Sequence, residues 1–233
     1  MKTARKAILL VLCAILLVVS AVMGTLAYLT DTEDVTNTFT VGKVDIKLDE
    51  SKESTPDTTD RTEDGNQYHL IPGQTYTKDP TVTLLKDSES SYVFMTVTVE
   101  NLKSLTDALT ADKYYNNEIF LLQNLCDWQA NSPWKFAGFK SVTPAGATEA
   151  TDGEYRFYYE SAQAGAENGN KLPALFNTIT VPGDDITSDN IDNLKNVKIV
   201  VKAVAIQEAG FDTANDAWKA QFNEEYIIAP VAP

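Results

Sequence analysis

One histidine, His69, stands in the whole 233-residue sequence, and that scarcity excludes several chemistries at once. Neither an H-E-x-x-H zinc site nor any ligand set with two histidines can be assembled. Cysteine is almost as rare. Cys13 lies in an apolar amino-terminal run, which leaves Cys126 alone in the rest of the chain without an internal disulfide framework. Such a cysteine reads first as a buried small hydrophobe. A Cys126–His69 dyad would lie in no nucleophile motif. The chain also lacks a G-x-S-x-G elbow, a phosphate-binding loop and a G-x-G-x-x-G turn. Carboxylates are so numerous that no pair of them stands out as acid and base. No catalytic residue, metal site or cofactor is expected, and the chain is read as no enzyme.

Positive charge is short as well: 19 basic residues face 33 acidic ones, a net of −14. Three of the basic residues, Lys2, Arg5 and Lys6, form a positive cluster before the 17-residue uncharged run Ala7 to Met23. That is the layout of a signal peptide, and Thr25 and Ala27 supply the small residues of a cleavage site before Tyr28. The alternative is an uncleaved anchor, because the uncharged run extends for 24 residues to Thr30. Cleavage would leave 206 residues with 16 basic against 33 acidic, a net of −17. Such a charge argues against nucleic acid as a partner. The expected location is extracellular, either secreted or at the cell surface.

Between the apolar run and the rest of the chain lies GTLAYLTDTEDVTNTFTVGKVDIKL, from Gly24 to Leu48. Val44, Ile46 and Leu48 alternate with charged residues, the period of a strand with one buried face. Asn37 to Val41 is also β-prone, and Gly42 breaks the two apart. Asp49 to Asp64 holds seven acidic residues, two basic ones and no large apolar side chain, and is read as a solvated loop. Asp60, Asp64 and Gly65 fall at EF-hand-like offsets, but Thr62 and Ile71 occupy positions that such a loop needs for ligands.

Further along, Ile71-Pro72-Gly73 marks a turn, Thr75 to Lys78 and Val82 to Leu84 are extended, and Tyr92 to Glu100 alternates as a central strand. Ser104 to Leu125 has helix-compatible spacing, at Ile119, Leu122 and Cys126, and is read as one or two short helices inserted between strands. Trp134 to Val142 and Glu154 to Tyr159 read as a strand pair across a turn-rich loop. Tyr155, Phe157 and Tyr159 share one face, and rings so placed serve either core packing or stacking on sugars. Ser161 to Lys171 is read as a loop, Leu175 to Val181 as a strand, Asp184 to Asp192 as a loop and Val197 to Ile206 as an apolar strand. Thr213 and Asp216 have the spacing of a capping box for a short helix holding Ala217, Trp218 and Phe222.

The junction resembles the amino-terminal signature of the TasA and camelysin family of secreted Gram-positive proteins. The positions that carry the resemblance are Ala27, Tyr28, Leu29, Asp31, Asn37, Phe39, Gly42, Val44 and Ile46. PGQTYTKDPTVTL with YVFMTVTV, and KAVAIQEAGFDTANDAWKA near the end, are similar to later parts of the family, while Leu105 to Gly153 and the residues after Gln221 match no part of it.

The residues themselves predict a mainly β, antiparallel β-sandwich with short inserted helices and a short C-terminal helix, and the resemblance implies that it is jelly-roll-like. It divides the chain into a signal peptide (1–27), an N-terminal segment (28–41), a sandwich domain (42–223) and a C-terminal tail (224–233). It further implies processing by a dedicated SipW-type signal peptidase and a structural role as a biofilm-matrix fibre subunit. In that role the partner is the protein itself, head to tail, along with other matrix components. The donor strand would then be Tyr28 to Val41, with Tyr28, Leu29, Val35, Asn37, Phe39 and Val41 along it. Camelysin-type relatives carry a metallopeptidase label, which the single histidine gives no reason to transfer. The alternative is a surface-displayed adhesin or carbohydrate-binding module without assembly, for which the carboxyl end EEYIIAPVAP offers no L-P-x-T-G sorting motif.

Overall fold

The computed structural model describes residues 43–53, 60–109, 125–187, 190–194 and 196–227. Within them ten strands form antiparallel sheets, and two short helices flank them. One sheet has the order β2-β1-β4-β8, built from β1 (Ile46–Ser51), β2 (Arg61–Thr62), β4 (Thr81–Leu84) and β8 (Asn170–Lys171). The second has the order β10-β5-β7-β6, built from β5 (Ser91–Glu100), β6 (Trp134–Val142), β7 (Asp152–Tyr159) and β10 (Lys198–Gln207). A two-stranded ribbon pairs β3 (Thr75–Thr77) with β9 (Thr178–Thr180). The expected antiparallel, mainly β architecture is therefore present.

Strand β5 explains the layering. Its sequence SYVFMTVTVE puts Val93, Met95, Val97 and Val99 on one face, and all four are buried. They share a single cluster with Val82 and Leu84 of β4, so the two larger sheets enclose one core. Trp134, Phe136, Tyr155 and Phe157 from β6 and β7 fill the same cluster. Trp128 adds its ring and donates its indole N–H to the Trp134 carbonyl at 3.2 Å, so its polar atom is satisfied inside. The rings of this strand pair belong mainly to the core.

The opposite face of β5 is covered too. Phe94 is 1% exposed and packs with Ala137, Ala214, Trp218 and Tyr226 in a second cluster. Ala137 lies where β6 shifts register between Phe136 and Gly138, and Gly138 takes a φ of 140° that side chains rarely adopt. The cover is helix α2 (Ala214–Phe222), which follows Leu102–Ala108 (α1) as the second described helix. Thr213 caps α2 as the sequence predicts: its side chain accepts from the Asp216 N–H and its hydroxyl donates to the Asp216 carboxylate at 2.6 Å. Asn223 ends the helix in the left-handed conformation.

Past that cap the chain turns back into the core, although a tail was expected from 224. Tyr226 is fully buried, and its hydroxyl lies 2.9 Å from the Met95 carbonyl, 3.1 Å from the Phe157 carbonyl and 3.2 Å from the Thr96 hydroxyl. Burial raises its pKa above the ordinary tyrosine value, so it acts as a neutral donor. Two side chains hold this return. Asn215 accepts from the Tyr226 and Ile227 N–H groups at 2.9 and 3.1 Å, and Arg156 donates to the Glu225 carbonyl at 2.9 Å with its guanidinium over the Tyr226 ring. The packed domain thus reaches at least Ile227.

Three boundaries differ from the sequence reading. The strand expected over Leu175 to Val181 shrinks to Thr178–Thr180, because Leu175 and Phe176 turn into the core instead of pairing. The loop expected over Ser161 to Lys171 ends in the two-residue strand β8. In the acidic loop after Asp184, Ile186 is fully buried and a 3-10 turn begins at Ile191.

Tyr226→Phe removes one hydroxyl that answers several main-chain and side-chain groups of β5 and β7. Leaving buried polar groups unanswered costs about 1–3 kcal/mol. The urea midpoint should fall accordingly with an unchanged m-value. An unchanged midpoint would mean that the hydroxyl contributes nothing to the lock.

Candidate assembly edge and charged interior

Strand β10, KIVVKAVAIQ, is the longest edge of the described sheets. It pairs with β5 in register from Lys198↔Glu100 to Gln207↔Ser91, and β5 is its one sheet neighbour among the described residues. The other edges of the two larger sheets differ: β2 and β8 have two residues each, and β6 carries the register shift. Despite its apolar sequence no residue of β10 is fully buried. Ile199, Val201, Ala203 and Ala205 lean toward the main core, and Val204 and Ile206 toward the second cluster. Lys198 and Lys202 are exposed, and charges so placed limit indiscriminate pairing at an edge.

Beside β10 the two larger sheets leave a cavity of about 1000 Å³. Leu48, Val97, Tyr155, Ile186, Ile199 and Val201 are among its apolar wall, and Glu50 and Lys78 lie at its polar part. Cys126 lines it as well. Burial, with a contribution from Asp127, pushes the Cys126 thiol up to about 12, so it stays protonated and behaves as a small hydrophobe. His69 reaches the same wall with an exposed side chain.

Asp49, Glu50 and Lys78 of this wall belong to a network of buried and part-buried charges. Asp49, Glu50 and Ser51, the end of β1, are all buried, as is Lys78. Arg61 of β2 is the hub: it donates to Asp49 Oδ1 at 2.5 Å, to Asp79 Oδ2 at 2.6 Å, to Ser51 Oγ at 3.1 Å and to the Asp49 and Asp79 carbonyls at 3.0 Å. Asp79 also accepts from the Ser51 N–H at 2.6 Å. Burial works to raise the Asp79 pKa, but the bonds from Ser51 and Arg61 together hold it below the ordinary value of 3.8. Next to this set, Lys78 donates to Glu50 Oε2 at 2.6 Å. Tyr68, whose ring lies 5.9 Å from the Lys78 Nζ, has its pKa raised by burial and then by the Glu50 charge.

The solvated loop expected over Asp49 to Asp64 is therefore wrong at both ends. Within that window seven acids met two bases, which suggested unneutralised charge. Lys78 and Asp79, the groups that complete the network, come from the β3–β4 turn, outside the window. The pairing Ser51↔Arg61 then places Arg61 in the sheet. Asp60 meets Lys52 at 2.9 Å, an ordinary surface ion pair.

The residues assigned to signal cleavage (Thr25, Ala27, Tyr28) and to the donor strand (Tyr28, Leu29, Val35, Asn37, Phe39, Val41) lie outside the described residues. What the sequence missed was the charged interior. The signal was present in KDP at Lys78 to Pro80, a charge pair opening a strand.

Arg61→Ala would take from the buried Asp49 and the part-buried Asp79 the cation they share, leaving Lys47 on the one and Ser51 on the other, and is expected to destabilise the domain by about 1.5–3 kcal/mol, the range for hydrogen bonds to charged groups. Asp79 has a folded pKa below its unfolded value. Its contribution is therefore present above the ordinary carboxylate range and is lost as pH falls below about 4 through the folded value. Urea midpoints of the wild type should drop over that acid limb, and Asp79→Asn should be less stable at neutral pH with a shallower acid limb. Parallel acid limbs would contradict the assignment.

Comparison with family models, with curated proteins and with solved structures found no match to this chain.

Proposed function

We propose that this chain is a secreted structural protein of the extracellular matrix that assembles into fibres by strand donation. In this reading the signal is removed between Ala27 and Tyr28 by a dedicated SipW-type peptidase, and the freed segment Tyr28 to Val41 of one copy adds to the sheet of the next. The observation that carries it is β10: a ten-residue edge, apolar yet only half-buried, beside a cavity whose wall it helps to form. An added strand gains main-chain hydrogen bonds along such an edge, and its alternate side chains enter the cavity. Phe39 and Val41, two residues apart, have the spacing to do so. Before cleavage the segment is tied to the apolar signal, and afterwards its terminus is free.

The resemblance at the junction supports the same reading and with it a jelly-roll strand order. Pairing of this kind is head to tail and does not close, so it yields filaments and not dimers. The chain then performs no chemistry on a substrate, and its partners are further copies of itself and other matrix components. The adhesin alternative draws less support, since two of the three rings it would offer to sugars, Tyr155 and Phe157, are buried, and only Tyr159 keeps some exposure.

Electron microscopy and sedimentation of the chain from Tyr28 onward should show filaments, whereas deletion of Tyr28 to Thr36 should leave a folded monomer. Phe39→Asp should weaken assembly by placing a charge in an apolar pocket. If all three forms behave alike, strand donation by this segment is wrong and the surface-binding alternative moves ahead.

A further inference from the structure

The Lys78–Glu50 pair has a third member. Glu50 accepts from Lys78 Nζ through Oε2 at 2.6 Å and from Asn66 Nδ2 through Oε1 at 3.0 Å, so one carboxylate touches both an amine and a carboxamide. The carboxamide is fixed on its remaining sides. Asn66 Nδ2 also donates to the Ser51 carbonyl at 2.8 Å, and Asn66 Oδ1 accepts from the Glu53 N–H at 3.0 Å. Lys78 and Glu50 are 5% and 6% exposed, and the Tyr68 ring walls the amine.

Exchange of an amide onto an amine needs five things: a nucleophilic nitrogen, a carbonyl carbon, a donor that stabilises the developing oxyanion, a proton carrier and little competing water. Here Lys78 Nζ is the nitrogen, Asn66 Cγ the carbon and the Glu53 N–H the oxyanion donor. Glu50 spans the entering and leaving nitrogens, which is the position a proton carrier must hold.

We propose that Lys78 and Asn66 are a self-modification site, joined by an intramolecular amide bond with Glu50 as the proton carrier. Glu50 takes a proton from the Lys78 ammonium, and the freed amine attacks Asn66 Cγ. The Nζ–Cγ bond forms as the Cγ–Nδ2 bond breaks. Glu50 delivers its proton to Nδ2, ammonia leaves, and Glu50 takes a second proton from Nζ. The products are an amide, a neutral Glu50 carboxyl and ammonia, so atoms and charge balance without any oxidant, reductant or metal. The buried ion pair is consumed as a pair, and no unpartnered charge remains inside. The bond ties the loop after β2 to the end of β3, in a domain whose only described cysteine is Cys126.

Tryptic mapping of the folded full-length chain by mass spectrometry tests this independently of assembly. In the linked protein trypsin cannot cut after Lys78, so residues 62–86 appear as one peptide, lighter by the mass of ammonia, about 17 Da. Fragmentation should place the branch between Asn66 and Lys78. Asn66→Ala and Glu50→Gln should each restore cleavage after Lys78 and the full mass. The wild type alone decides if a variant fails to fold. Peptide 62–78 at full mass in the wild type overturns the proposal. The same peptide cleaved after Lys78 but lighter by ammonia also overturns it, because the loss then lies within Asn66 itself.

Discussion

Strand β5 is buried along one face and at Phe94 on the other, and the rest of the domain answers that constraint. A strand with one wet face needs one cover, but Val93, Met95, Val97 and Val99 on one side and Phe94 on the other require two. The sheet containing β1 and β4 supplies the first cover. The second comes from α2 and the returning Tyr226, whose hydroxyl reaches the main chain of both β5 and β7. Full burial of a large apolar side chain contributes about 1.5–3 kcal/mol, so Phe94 and Trp218 together justify the ordering of the C-terminal segment. Arg156 and Asn215 make that segment specific, because they fix its main chain and not merely its rings.

Among the described residues the second sheet ends at β10, a strand whose chemistry is that of an interior one. Seven of its ten residues are apolar and its neighbour β5 holds more buried residues than any other described strand, yet each of its own residues keeps some exposure. Protein edges of that kind are normally shortened, bulged or charged. Here β2 and β8 are short, β6 is bulged, and β10 has lysines at two positions but keeps its full length. Among the described residues of the two larger sheets, the proposed strand donation uses the one edge that is not shortened or bulged.

The long strands were legible in the sequence for plain reasons: β5 alternates with a period of two, β6 and β7 are rich in aromatic residues and flank a turn-rich loop, and β10 is a run of apolar residues. The capping box at Thr213 was legible because its geometry is local. What escaped were features completed at a distance. Arg61 needs Asp79, 18 residues on, to become an interior residue, and Glu50 needs Lys78. Tyr226 looked like a tail residue because its partners, Met95 and Phe157, stand 131 and 69 positions away. Of the proposed assembly site, the sequence offered the junction that carries the proposed donor segment, whereas the half-buried state of β10 required the sheet order.

The central claim, that the segment before β1 in one copy lies along β10 of another, is tested most directly by mixed disulfide trapping. One preparation carries Phe39→Cys and a second carries Val201→Cys, with Cys126 protonated and buried in both. Mixing under mild oxidation should give a disulfide joining residue 39 of one variant to residue 201 of the other. Neither preparation alone should produce that bond. Absence of the mixed species, or an equal yield when Val201→Cys is replaced by a cysteine on an exposed loop, would contradict donation to this edge.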